Sequence, residues 1–343
     1  MDSTLQTRET LRLDPPHGHP ILKLPSQISP HVGVLERYIL EWGERFDLLD
    51  NDQSRTRLAR THLGDLMARS YPDIPEESLE AAAGWFTWAF VIDDCYDKPA
   101  WEYDESATRM LGLLNVDGPP SKASTRLDAL LAELWKQMSA GQSTHWKMRF
   151  IQHTIHFLSC FKYEAINRQS GHTPNLLGYA QLRPSSSGTL LAIDLLELGR
   201  GREVLPLLHE STPLRTMRDR AVDVVCWVND VFSLSKELAV GETTNGVLVL
   251  ARERDMGLQD AIDAVYVDVA RWVNEFTDAR AELKDLLATW RGISGAEKNA
   301  ISLYANGLRA WMRGNLDWSY GSDRYMVPDQ IRLTNDISLV TGS

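Results

Sequence analysis

The chain has 343 residues, 43% of them hydrophobic, enough apolar content to fill one large core or two ordinary ones. A formal net charge of -11 and a pI near 5.3 argue against nonspecific binding to nucleic acid or to anionic membrane, so a bound anion must be drawn by local charge or by metal. Cys95, Cys160 and Cys226 are widely spaced with no CxxC pair, which fits a reducing compartment and not a zinc site, and the absence of a signal-peptide core or a run of roughly 18 apolar residues makes a soluble, cytoplasmic protein the expectation.

Residues 1–28, through Pro15, Pro16, His17, Gly18, His19 and Pro20, read as an irregular arm. Ser29-Pro30 then offers an N-cap followed by proline at the first helical position. Leu35, Tyr38, Ile39, Trp42 and Phe46 recur behind it at helical spacing, which predicts an amphipathic helix. Further helices are predicted near 53–69, 76–96, 124–140, 144–169, 175–198, 213–238, 258–290 and 295–320. Turn signals separate them at Gly118-Pro119-Pro120, Gly171-His172-Thr173-Pro174 and Gly241 to Gly246. No segment of strict alternation stands out, and no repeat or composition shift divides the chain. Residues 29–343 therefore read as one all-α bundle around a central apolar pocket.

Two patches carry chemistry. Asp93-Asp94-Cys95-Tyr96-Asp97 places Asp93 and Asp97 side by side on a helix. A DDxxD pattern arises in roughly one shuffled chain in six, so alone it is weak. Its setting adds weight: Phe86, Ala89 and Phe90 share the face of Asp93, so the acids continue an aromatic stripe instead of decorating a solvated turn. Asn229, Ser233 and Glu237 form a second row of oxygens after the apolar run Val222 to Val228. One carboxylate, one amide and one hydroxyl make a poor salt-bridge row but a good partial Mg²⁺ shell. Adjacent Lys236 supplies the positive charge a diphosphate needs. Arg183 precedes Pro184, Ser185, Ser186, Ser187 and Gly188 inside a helical stretch, so a helix break is predicted there. Arg324-Tyr325 places a guanidinium and a phenol near the chain end, after Trp318.

Taken together, these residues resemble the class I terpene synthases in their bacterial-type single-domain form, over nearly the whole chain. Asp93 to Asp97 is similar to the family's aspartate-rich motif, and Asn229, Ser233 and Glu237 with Lys236 to its NSE triad. Arg183 falls where the family has its diphosphate sensor, and Arg324-Tyr325 is similar to its C-terminal RY pair. Ser29-Pro30-His31 and Trp42 to Phe46 are also similar. The positions after the sensor depart from the family pattern, leaving open which of Ser186, Ser187 and Gly188 answers the helix break.

The resemblance implies Mg²⁺-dependent ionisation and cyclisation of a linear prenyl diphosphate, most often farnesyl diphosphate to a sesquiterpene, with release of diphosphate. Three Mg²⁺ ions are implied, two held by Asp93 with Asp97 and one by Asn229, Ser233 and Glu237. Arg183, Lys236, Arg324 and Tyr325 would bind diphosphate, while Asp94 pairs with an arginine such as Arg324. Phe86, Phe90 and Trp318 would face the carbocation. The prenyl diphosphate is then the partner, with no nucleic acid and no membrane span, and a homodimer is an allowed assembly. The alternatives are a diterpene synthase using geranylgeranyl diphosphate, a chain-elongating prenyl transferase, which needs a second aspartate-rich patch, and an all-α Mg²⁺ nucleotide pyrophosphohydrolase, which needs a polar base pocket.

Overall fold

The computed structural model describes residues 11–49, 51–95, 100–117 and 121–325, and within them every regular element is helical. In chain order these are α1 (Pro20–Lys23), α2 (Val32–Arg45), α3 (Asp52–Arg60), α4 (Leu63–Ser70), α5 (Glu76–Cys95), α6 (Ala100–Leu111), α7 (Arg126–Met138) and α8 (Thr144–Ser170). There follow α9 (Leu176–Ser186), α10 (Thr189–Asp194), α11 (Pro206–His209), α12 (Thr212–Val240), α13 (Gly246–Glu253), α14 (Leu258–Thr289) and α15 (Gly295–Ser319). Among the described residues no helix is long and apolar enough to cross a membrane.

The amphipathic α2 lays Leu35, Ile39 and Trp42 inward against α4 and α5. By contrast α5 is apolar on nearly every side, with Ala82, Ala83, Trp88, Val91 and Ile92 fully enclosed, as a central helix must be. Gly84 permits its close approach to α2 and α7: a Cβ there would meet Leu134 at 2.5 Å and Trp42 at 2.7 Å. On the opposite side α12 packs against α14 and α15, and α8 against α6 and α9. The central cavity lies between α5, α8, α9, α12 and α15.

Several boundaries differ from the sequence reading. The predicted helix over 53–69 is two, α3 and α4, parted by His62 in the left-handed region at φ 52°. The reason is tertiary: the Thr61 carbonyl accepts hydrogen bonds from Trp318 Nε1 at 2.9 Å and Ser322 Oγ at 2.8 Å. The first amphipathic helix begins at Val32, with His31 at its N-cap position but no side-chain cap bond; the Ser29 hydroxyl accepts from the His31 amide at 3.3 Å, while the Ser29 amide donates to the Ala68 carbonyl at 2.8 Å. The break predicted beside Arg183 falls later, since α9 runs through Pro184 and ends at Ser186. Gly188, at φ 66°, starts α10. α6 and α13 were not predicted; at 12 and 8 residues they are too short for helical spacing to stand out over a reading window.

The segment from Leu11 to Ile28 seats against α14 and α15. Tyr266 Oη donates to the Leu13 carbonyl, the His19 ring meets the Tyr266 carbonyl at 2.7 Å, and Arg313 donates to the Leu22 carbonyl at 2.7 Å. Ile21, within this segment, is wholly buried.

Candidate active site

The central cavity, ≈ 420 Å³, is apolar below and charged at its mouth, within the size range of ligand pockets, about 300–1,000 Å³. From α5, one helical face supplies Phe86, Phe90 and Asp93 to its wall. Phe86 stacks on Trp311 at 6.1 Å, and Phe90 meets Trp318 edge-on at 6.5 Å. Trp318 is fixed from outside through its Nε1 bond to Thr61, so its ring has little freedom.

At the end of α5, Asp94 is nearly buried and Asp93 half exposed. Both meet Arg324: one guanidinium nitrogen donates to both Asp94 oxygens at 2.8 and 3.0 Å, and the other to Asp93 at 2.8 Å. The same guanidinium lies 5.2 Å over the Phe90 ring. Burial works against the charge on Arg324, but Asp94 and then Asp93 hold its pKa up. Asp97 lies outside the described residues.

Across the cavity, α12 presents Asn229, Ser233, Lys236 and Glu237. Asn229 Oδ1 accepts from Arg183 at 2.8 Å, while its Nδ2 donates to Tyr325 Oη at 2.9 Å, joining α9 to the segment after α15. Arg183 is also paired with buried Asp230 at 2.8 Å, and Asp230 accepts from Tyr179 Oη and from the Gly246 amide at 3.2 Å. Burial, and then the Asp230 charge, pushes the Glu237 carboxyl up. Burial, and then neighbouring Arg324, pulls Lys236 down. Tyr325, half-buried, is raised to about 12 by burial. The helix break lines the same space through Ser186, Ser187 and Gly188. Ser187 occupies the break itself, its hydroxyl donating to Thr189 Oγ1 at 2.8 Å and lying 3.2 Å from Cys226 Sγ.

Among the described residues no three His, Cys, Asp or Glu side chains gather as a ready cation cage. The candidate shell is instead a carboxylate, an amide and a hydroxyl on successive turns of α12. Only hard oxygen donors are offered, which fits Mg²⁺ and not a thiolate- or imidazole-seeking ion.

Several participants escaped the sequence reading. Asn245, fully buried, donates from Nδ2 to Glu237 and to the Asp230 carbonyl, both at 2.8 Å, while its Oδ1 caps α13 at 2.8 Å. Its sequence signal was an asparagine directly before an apolar run, the N-cap pattern, here read as a turn. Asp230 was legible as an acid inside an apolar helix face. Glu164, Arg168, Glu242 and Thr244 line the mouth without any local pattern to mark them. The Glu164 carboxyl is pushed up to about 7 by burial and then by Asp93.

An all-α bundle that sets an aromatic cavity under a mouth of aspartates, an Asn/Ser/Glu row and arginines has the architecture of a terpene cyclase. The profile of terpene synthase family 2, C-terminal metal binding, matches residues 84–284. Pristinol synthase of Streptomyces pristinaespiralis is 30% identical over 89% of this chain and 83% of its own length. The (+)-T-muurolol synthase ((2E,6E)-farnesyl diphosphate cyclizing) of Roseiflexus castenholzii is 32% identical over 87% of this chain and 90% of its own length. Among solved structures, hedycaryol synthase in complex with HEPES superposes with a TM-score of 0.78 at 26% identity, covering 90% of this chain and 98% of that one. The chain belongs to the terpene synthase family. It is accordingly a lyase of the terpene cyclase type, with a metal-binding domain.

Proposed function

We propose that the protein ionises farnesyl diphosphate with the aid of Mg²⁺ and closes the resulting cation into a sesquiterpene, releasing diphosphate. The observation that carries this reading is the meeting of Arg183, Asn229, Tyr325, Arg324, Asp93 and Asp94 around one mouth above an aromatic cavity. Among the relatives, the Roseiflexus enzyme is named for cyclising farnesyl diphosphate, which supports the choice of a C15 substrate.

In this reading Asp93, with Asp97, would hold two ions, and Asn229, Ser233 and Glu237 would hold the third. Bound there, the ions would supply Lewis-acid charge to the departing diphosphate. Arg183, Lys236, Arg324 and Tyr325 donate to diphosphate oxygens, so their cations and N–H groups gain most as charge accumulates on the leaving group. The C1–O bond breaks, its electron pair stays with diphosphate, and an allylic cation remains over Phe86, Phe90 and Trp318. Their π-faces attract the cation where no water competes, and the rigid wall holds the hydrocarbon folded for ring closure.

Asn229→Ala and Glu237→Ala test the assignment. Each should abolish turnover and the stabilisation given by Mg²⁺ with inorganic diphosphate in a thermal melt, while far-UV circular dichroism stays helical. Full activity in both variants would sink it.

A further inference from the structure

Behind Arg183 lies a second, smaller cavity of ≈ 10 Å³, walled by Glu164, Asn167, Tyr179, Arg183, Ser186 and Thr244. It adjoins the main one, since Glu164, Arg183, Ser186 and Thr244 line both. Two buried polar atoms of this wall, Arg183 Nε and Thr244 Oγ1, have no hydrogen-bond partner within the protein. Buried donors left in that condition are costly, and native proteins rarely tolerate them. The cavity has about the volume one water needs, and a buried water makes two to four polar contacts. Arg183 Nε as donor, the Glu164 carboxyl as acceptor and the Thr244 hydroxyl as either provide three.

We propose that one ordered water occupies this cavity and that Thr244 and Glu164, acting through it, are positioning residues for the Arg183 guanidinium. The inference rests on reading Arg183 as a diphosphate contact. One end of that guanidinium is already fixed, by Asn229 and Asp230 at 2.8 Å each. The water fixes the Nε side, so the fork is aimed before diphosphate arrives, which lowers the cost of binding. Thr244 is itself held in place. Glu242 accepts from the Thr243 and Thr244 amides at 2.8 Å each, and its other oxygen meets Arg168 at 3.4 Å. Next in the chain, Asn245 grips Glu237. The short loop after α12 therefore sets both the Arg183 side of the mouth and the Glu237 side.

A high-resolution crystal structure of the full chain and calorimetric titration with inorganic diphosphate and Mg²⁺ test this together. The crystal should show a water within hydrogen-bond distance of Arg183 Nε and Thr244 Oγ1. Thr244→Val, which keeps the shape and removes the hydroxyl, should weaken diphosphate binding roughly tenfold and raise KM more than it lowers kcat. Thr244→Ser should restore both. A crystal in which Arg183 Nε bonds directly to protein with no water beside it would overturn the proposal, as would a folded Thr244→Val protein that binds diphosphate like the wild type. If the wild type itself binds no diphosphate, the reading of Arg183 fails separately, and the crystal still decides whether the water is there.

Discussion

Arg324 and Asp94, 230 residues apart in the chain, are locked together, one guanidinium nitrogen bridging both carboxylate oxygens at 2.8 and 3.0 Å with each side chain almost wholly enclosed. Removing one member of such a pair strands the other charge in a poorly solvated place. Arg324→Ala should therefore lose about 3 kcal/mol of stability, the low end of the range for buried pairs, because half-exposed Asp93 contributes little. Urea denaturation measures it. Wild-type stability in the variant would mean that Asp94 has no need of the pair.

Asn245 satisfies three groups with one amide: Glu237, the Asp230 carbonyl and the first amides of α13. Asn245→Ala should cost about 2 kcal/mol, combining a lost helix cap with stranded buried acceptors. Glu237 would also lose its aim, so the Mg²⁺ concentration needed for half-maximal activity should rise. Denaturation and a metal titration check the two effects separately, and an unchanged metal requirement would limit Asn245 to a structural part.

Phe90 lies between Trp318 and Arg324, its ring 6.5 Å from one and 5.2 Å from the other. Phe90→Leu keeps bulk and removes the π-face. Its product mixture should shift toward earlier-quenched, less cyclised hydrocarbons while the Mg²⁺ requirement stays as in the wild type. Gas chromatography of the extracts reads the outcome; an identical product profile would remove Phe90 from the cation's path.

Asp223 on α12 gives a pH signature remote from the mouth. Burial pushes its carboxyl up to about 6, although Arg220 lies 3.0 Å away and pulls the other way. The folded protein thus holds this proton more tightly than the unfolded chain, in which aspartate titrates near about 4. The stabilising contribution is fully present below that unfolded value and is lost as pH rises through about 6. Asp223→Asn should reduce the wild type's fall in Tm between about pH 4 and pH 6, with Arg220 still paired to Glu275 at 3.3 Å. Parallel Tm profiles would contradict this.

The long helices and the Asn229, Ser233 and Glu237 row were legible because each signal is local: apolar spacing within one helix, or oxygen-bearing side chains on successive turns. Asp93, Arg183, Asn229, Ser233, Lys236, Glu237, Arg324 and Tyr325 do line one mouth. What escaped was set by distant partners. The break at His62 depends on Trp318 and Ser322 drawing on the Thr61 carbonyl. Glu164 and Thr244 come together only when α8 and the loop after α12 meet behind Arg183. No pattern within either segment records that meeting.

The most direct test of the account is to incubate the protein separately with C10, C15 and C20 prenyl diphosphates, with and without Mg²⁺, and to identify the products by mass spectrometry. The account predicts cyclic C15 products from farnesyl diphosphate, formed only with Mg²⁺ and accompanied by released diphosphate. Conversion of none of the three, or products longer than their substrate when a C5 diphosphate is added, would contradict it.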